Sequence, residues 1–105
     1  MDLALTEEEI QLADAARRFT KKEIAPVADR MDREDYFPRE VFRHLGEQGF
    51  LGVTIPPEYG GLGLSYRAQA IVLEEIARAS PALALSVGAH SGKKNRIFAT
   101  LRLFS

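Results

Sequence analysis

The sequence of 105 residues contains no cysteine. That absence excludes disulfides, a thiolate zinc site and a thiol nucleophile. Histidine is scarce: His44 and His90 stand far apart in the chain. Neither sign of charge is in excess, with 14 Lys and Arg against 15 Asp and Glu and a formal net charge of −1. Such a balance makes no electrostatic case for nucleic acid or an acidic membrane. No apolar run approaches the roughly 20 residues that cross a bilayer. Met1-Asp2-Leu3 leads into an acidic run, the wrong charge for a signal or transit peptide, so a cytoplasmic protein is expected. No internal repeat or low-complexity stretch is present. What remains, 46% hydrophobic and 28% charged, is the composition of one small soluble globular domain.

The stretch from Phe50 to Leu64 organises the rest. It cannot be a regular helix. Pro57 lacks a backbone donor, and it pushes Pro56 toward an extended conformation. Gly60, Gly61 and Gly63 favour turns. Yet Phe50, Leu51, Val53, Ile55, Tyr59, Leu62 and Leu64 make it too apolar for a solvated loop. A buried, shape-defined connector with helices packed on both sides is expected.

Local signals place those helices. Thr6-Glu7-Glu8-Glu9 is a capping box, with Leu5 and Ile10 at the positions of a hydrophobic staple. The first helix therefore starts near Glu7, with Leu12, Ala15, Ala16 and Phe19 as its apolar stripe and Ile10 and Ala13 at the edge. Pro26 ends or kinks it, or opens a second helix, with Ala25, Val27, Ala28 and Met31 inward. Asp29, Arg30, Asp32, Arg33, Glu34 and Asp35 read as a solvated face. Pro38 opens the next helix, with Val41, Phe42 and Leu45 as its stripe. Gly49 suits the left-handed position that closes it. His44 lies on this helix and reads as a partly exposed or hydrogen-bonded side chain rather than a catalytic one.

Ser65 is an N-cap for a helix from Tyr66 to about Ala79, expected to bury Ala70, Leu73, Ile76 and Ala77. Glu74 and Glu75 diverge by about 100° on that helix and cannot serve one substrate atom. Exposure or pairing with Arg67 or Arg78 is expected for them. Ser80-Pro81 starts another helix. Residues 82–89 are uncharged, so this helix is buried or lines a pocket. Ala84, Gly88 and Ala89 leave room there, either for a neighbouring helix or for a ligand. The segment from Gly92 to Ser105 is basic and apolar, with Lys93, Lys94, Arg96 and Arg102 and no acid. Ile97, Leu101 and Phe104 share one face if it is helical.

Three runs together resemble the N-terminal helical domain of the acyl-CoA dehydrogenases. They are Leu45-Gly46-Glu47-Gln48-Gly49-Phe50-Leu51-Gly52, Pro57-Glu58-Tyr59-Gly60-Gly61-Leu62-Gly63, and Glu74-Glu75-Ile76-Ala77-Arg78. The likeness covers about residues 5–91, and Ser86-Val87-Gly88-Ala89-His90-Ser91 is most similar to the isovaleryl-CoA and glutaryl-CoA members. It implies an all-α bundle over residues 1–91, followed by an atypical tail over 92–105, as in a truncated or frame-shifted product. It also implies the family's FAD-dependent α,β-dehydrogenation of an acyl-CoA thioester and its usual homotetramer.

In that family the catalytic glutamate and most flavin contacts come from the central and C-terminal domains. The resemblance therefore assigns no catalytic residue here, expects no FAD on this chain alone, and expects it to act with the remaining dehydrogenase domains. It implies one wall of the acyl pocket, at Ala84, Leu85, Gly88 and Ala89, with small residues suiting a branched or aromatic acyl group. Gly60-Gly61-Leu62-Gly63 lacks the spacing and preceding strand of a dinucleotide loop. The competing reading is a non-catalytic helical interaction module that keeps the fold; a complete small acyl-binding protein is a third. Marginal stability is expected, with exposed apolar area near Leu83, Leu85, Val87 and Phe98.

Overall fold

A computed structural model describes residues 4–34 and 38–90; Asp35, Phe37, Ser91, the 92–105 segment and the side chain of Asp32 lie outside that description. All regular structure among the described residues is helical. Five α-helices follow in order: α1 (Glu7–Phe19), α2 (Ala25–Glu34), α3 (Arg39–Glu47), α4 (Tyr66–Ala77) and α5 (residues 81–90). The all-α expectation and all five start signals hold.

The capping box at the start of α1 forms in full. The Glu9 amide donates to Thr6 Oγ1 at 3.1 Å, and the Thr6 amide donates to Glu9 Oε1 at 2.9 Å. Leu5 and Ile10 at the staple positions remain largely exposed. The inward face of α1 is centred on Ala13 and Ala16, with Leu12, Ala15 and Phe19 partly buried beside them. Centring the stripe on Leu12 is thus corrected by a fraction of a turn, because Glu9 is also drawn in.

Pro26 does not end the helix. It has no amide hydrogen for the Lys22 carbonyl, and its ring needs the space that carbonyl would occupy. One wide turn, Thr20–Ile24, supplies that space, with the Ala25 amide donating five residues back to Thr20. The chain stays helical from Glu7 to Glu34 as a result. Val27 and Met31 pack toward the core from α2, whereas Ala25 is exposed.

Helix α3 closes as expected, with Gly49 at φ 83°. The connector that follows is half buried. Phe50, Val53 and Ile55 are sealed, while Tyr59 and Leu62 reach solvent. Its shape comes from its own amides: Gly61 donates to Pro56, Leu62 to Gly52, Gly63 to Ile55 and Leu64 to Val53. Gly61 has no alternative residue, since a Cβ there would run into the Ile55 carbonyl.

The core lies where α1 and its wide turn meet α4, with α3, the connector and α5 closing around it. Ile24, Leu45, Val53, Val72, Ile76 and Val87 are fully buried. Phe19 and Phe50 meet edge to face at 5.7 Å. At about 25 cal/mol per Å² of apolar surface, side chains of this size contribute roughly 1.5–3 kcal/mol each.

Candidate functional site

Helices α4 and α5 are joined by a short turn at Arg78, Ala79 and Ser80. Ser80 caps α5 by accepting from the Leu83 amide at 3.1 Å. Each of the two helices presents two stripes. On α5, Leu83 and Val87 enter the core. One helical step round, Pro81, Ala84, Leu85 and Gly88 repeat at the i, i+3, i+4, i+7 spacing and turn the other way. On α4, Ala68, Val72, Glu75 and Ile76 face inward, and Ala70, Leu73, Glu74 and Ala77 show the same spacing outward.

The two outward stripes face each other across an open groove of about 800 Å³, which Ala89 completes. Its lining is almost wholly apolar, and Glu74 is the one carboxylate on it. The groove exists because its walls are small. Alanine stands at 70, 77, 84 and 89, and position 88 has no side chain. A Cβ at Gly88 would meet Leu73 Cδ1 at 3.6 Å, so Leu73 is the atom group directly behind that gap. Leu85 is 77% exposed on the rim.

The structure thus brings Ala84, Leu85, Gly88 and Ala89 together on one surface. Helix α5 buries one face and borders the groove with the other, so both readings of its uncharged run apply, each to one face. Two other expectations are corrected. Leu83 and Val87 are not exposed apolar area, because the core takes them. Ala70, Leu73 and Ala77 are not fully buried but form the second wall of the groove, with the far side of Leu73 against the core, while Ala68 and Val72 hold the buried positions. Phe98 lies outside the described residues.

The two neighbouring glutamates do diverge. Glu74 is exposed and pairs with Arg78 at 3.5 Å. Glu75 points the other way and is buried rather than exposed, beside the expected Arg78. Arg17 of α1 reaches Glu75 Oε1 at 3.4 Å, and Arg78 stands 3.6 Å from Oε2. Two guanidiniums offset the desolvation of that carboxylate. Arg67, expected near these acids, instead pairs with Glu9 at 3.2 Å and donates to the Ala4 carbonyl at 2.9 Å.

A second concavity, of about 510 Å³, lies between α1, its wide turn and α3. It holds His44, whose Nδ1 is 3.1 Å from Glu23 Oε2, with Arg43 Nη2 3.3 Å from Nε2. Both ring nitrogens are occupied, so this histidine ties α3 to the wide turn. Its carboxylate partner comes from 21 residues away and could not be read locally. Among the described residues no cluster of histidine and acid side chains could hold a metal.

Nor do the glycines form a phosphate cradle. A cradle needs free backbone amides turned toward the anion. Here the amides of Gly60, Gly61, Leu62, Gly63 and Leu64 are all spent on carbonyls of the connector itself. The residues present do not fit a dinucleotide phosphate.

Comparison with known proteins gives this geometry a context. The model of the acyl-CoA dehydrogenase N-terminal domain matches residues 6–99. The mitochondrial isovaleryl-CoA dehydrogenase of Solanum tuberosum is 45% identical over 83 residues, which cover 77% of this chain and 20% of that protein. The glutaryl-CoA dehydrogenase of Desulfococcus multivorans is 48% identical over 86 residues, covering 79% of this chain and 22% of its own length. In a solved structure of a glutaryl-coenzyme A dehydrogenase glutaryl-CoA complex, the similar region superposes with a TM-score of 0.78 at 46% identity. It covers 83% of this chain and 23% of that one. The chain spans about a fifth of the length of the curated relatives it matches.

Proposed function

This chain belongs to the acyl-CoA dehydrogenase family, whose N-terminal domain it carries, and we propose that its α4–α5 groove forms one wall of the acyl pocket in an FAD-dependent dehydrogenase. The observation that supports the reading is the groove itself. It is concave, apolar and built from small side chains on two rigid helices, the character of a small-molecule site.

The tasks open to these residues are binding and exclusion of water. Ala84, Gly88 and Ala89 give an acyl chain room, and Leu85 covers it from the rim. Small walls suit a branched or aromatic acyl group. FAD, held by the other domains of such an enzyme, supplies the hydride acceptor. A base for the α-proton must also come from those domains. Glu74 stands on the groove but is held by Arg78, and Glu75 faces the core. Alone, this chain should carry no flavin and dehydrogenate no acyl-CoA. The remaining domains, and the family's usual tetramer, are the partners this reading requires.

The test is a titration of the methyl-labelled chain with isovaleryl-CoA, followed by NMR. Ala84, Leu85 and Ala89 methyl signals should move, and Leu83 and Val87 should not. Coenzyme A alone should leave all of them in place. Gly88→Leu fills the groove and should weaken isovaleryl-CoA binding by about 5- to 150-fold, the value of roughly 1–3 kcal/mol of lost apolar contact. No response at millimolar ligand, or the same response to coenzyme A alone, would overturn the reading.

A further inference from the structure

We propose that Leu73 on α4 sets the depth of the groove, as the specificity-determining side chain against which the end of an acyl chain stops. This rests on the acyl reading of the groove.

Of the side chains that α4 turns into the groove, Leu73 is the one large apolar group. One turn before it stands Ala70 and one turn after it Ala77, so it forms a ridge between two shallow bays. One side of Leu73 packs against the core, which fixes its position. The other side is exposed to the groove because Gly88 opposite has nothing to cover it. Among the described residues, and beyond the backbone of α5 and the two residues flanking Gly88, the nearest atom to where a Gly88 Cβ would be is Leu73 Cδ1, at 3.6 Å. An occupant pressed between the helices at this point therefore touches that methyl. The gap belongs to the pair: glycine opens it and leucine limits it.

Substitutions on either side of the gap should act in opposite directions. Leu73→Ala joins the two bays and seats more of a long chain. Each additional methylene buried is worth about fourfold in affinity. Octanoyl-CoA binding should therefore strengthen by at least about fourfold relative to isovaleryl-CoA. Gly88→Ala places a methyl at ordinary contact distance from Leu73, so it folds without a clash and should weaken octanoyl-CoA selectively. Combining the two places the new methyl beside the space that Leu73 vacated, with no leucine left to press an occupant against, so the ratio in the double variant should differ from the sum of the two single changes. That non-additivity is the signature of a shared floor.

The experiment measures dissociation constants of octanoyl-CoA and isovaleryl-CoA by methyl NMR on the 105-residue chain, these three variants, Leu73→Met and Gly88→Leu, with a thermal midpoint for each. Leu73→Met, nearly equal in volume, should leave the ratio within about twofold. A lowered midpoint with an unchanged ratio makes Leu73 structural only and overturns the inference. If Leu73→Ala is without effect on the ratio while Gly88→Leu still weakens isovaleryl-CoA, the depth inference falls and the acyl groove stands. If both are inert, the acyl groove falls with it.

Discussion

On the face of α4 that meets α1, Ala68, Val72 and Ile76 are sealed from solvent; on the face beside α5, Ala70, Leu73 and Ala77 border open space. The two faces share one helix, one spacing and a similar apolar character. What differs is the size of what stands opposite. Ile24, Leu45, Phe50 and Val53 bring large side chains to the first face from three other elements. The second is met by Ala84, Gly88 and Ala89, which cannot fill the distance between two helix axes. Hydrophobicity draws both faces together, but only volume closes one of them. The groove is thus written in residue size rather than in polarity.

The largest expected effect breaks the sealed side. Ile24 has no exposed surface, and Ile24→Ala should cost about 2–5 kcal/mol in denaturant unfolding. Leu85→Ala removes a side chain of similar size from the open side and should stay within about 0.5 kcal/mol. Comparable losses at the two positions would mean that the groove is closed in solution.

Two glycines sharpen the same contrast at smaller amplitude. A methyl at Gly61 meets the backbone of Ile55, which cannot move aside, so Gly61→Ala should destabilise by about 1–3 kcal/mol. A methyl at Gly88 enters the groove with ordinary contacts and improves helix propensity. Gly88→Ala should therefore stabilise by about 0.5–1 kcal/mol. Thermal midpoints of the two variants should move in opposite directions from the parent; a shared loss would show that the groove at Gly88 is already occupied.

The same distinction explains which features were legible in the sequence. Thr6, Ser65 and Ser80-Pro81 act on amides within three residues, so helix starts could be read locally, and so could the connector's break. Four of the five groove residues on α5, Ala84, Leu85, Gly88 and Ala89, were read from their size and from the family resemblance. The other wall was missed because α4 carries two stripes with the same period, and one sealed position holds a glutamate. Glu75 looks solvated until Arg17, 58 residues earlier, is brought beside it. His44 likewise gains Glu23 only through the packing of α3 on the wide turn. Pairings across such distances leave no trace in local periodicity. Pro26 left its alternatives open for another reason: a helix can absorb a missing donor by widening one turn instead of ending.

The smallest expected effect lies on neither face, on the outer surface of α3. Arg43 bridges Glu40 at 2.7 Å and Glu47 at 3.0 Å. The hydrogen bond from Arg43, reinforced by its charge, holds the Glu40 carboxyl below its ordinary range, and Glu40 in turn raises the Arg43 guanidinium. A carboxylate whose folded value is depressed lends stability above its unfolded pKa, about 4.3. That contribution is lost as pH falls through the lower folded value. Arg43 stays charged throughout, so Glu40 alone sets the window. Both groups are fully solvated, where paired long side chains lose in entropy much of what they gain in attraction. The expected signature is therefore spectroscopic. In a carboxyl NMR titration the Glu40 midpoint should lie below the ordinary glutamate range in the parent and rise toward it in Arg43→Gln. The unfolding midpoint at neutral pH should hardly change between the two. A clear loss of neutral-pH stability in Arg43→Gln would mean that the surface triad fixes α3 against the wide turn, and that the sealed core is not sufficient to hold it there.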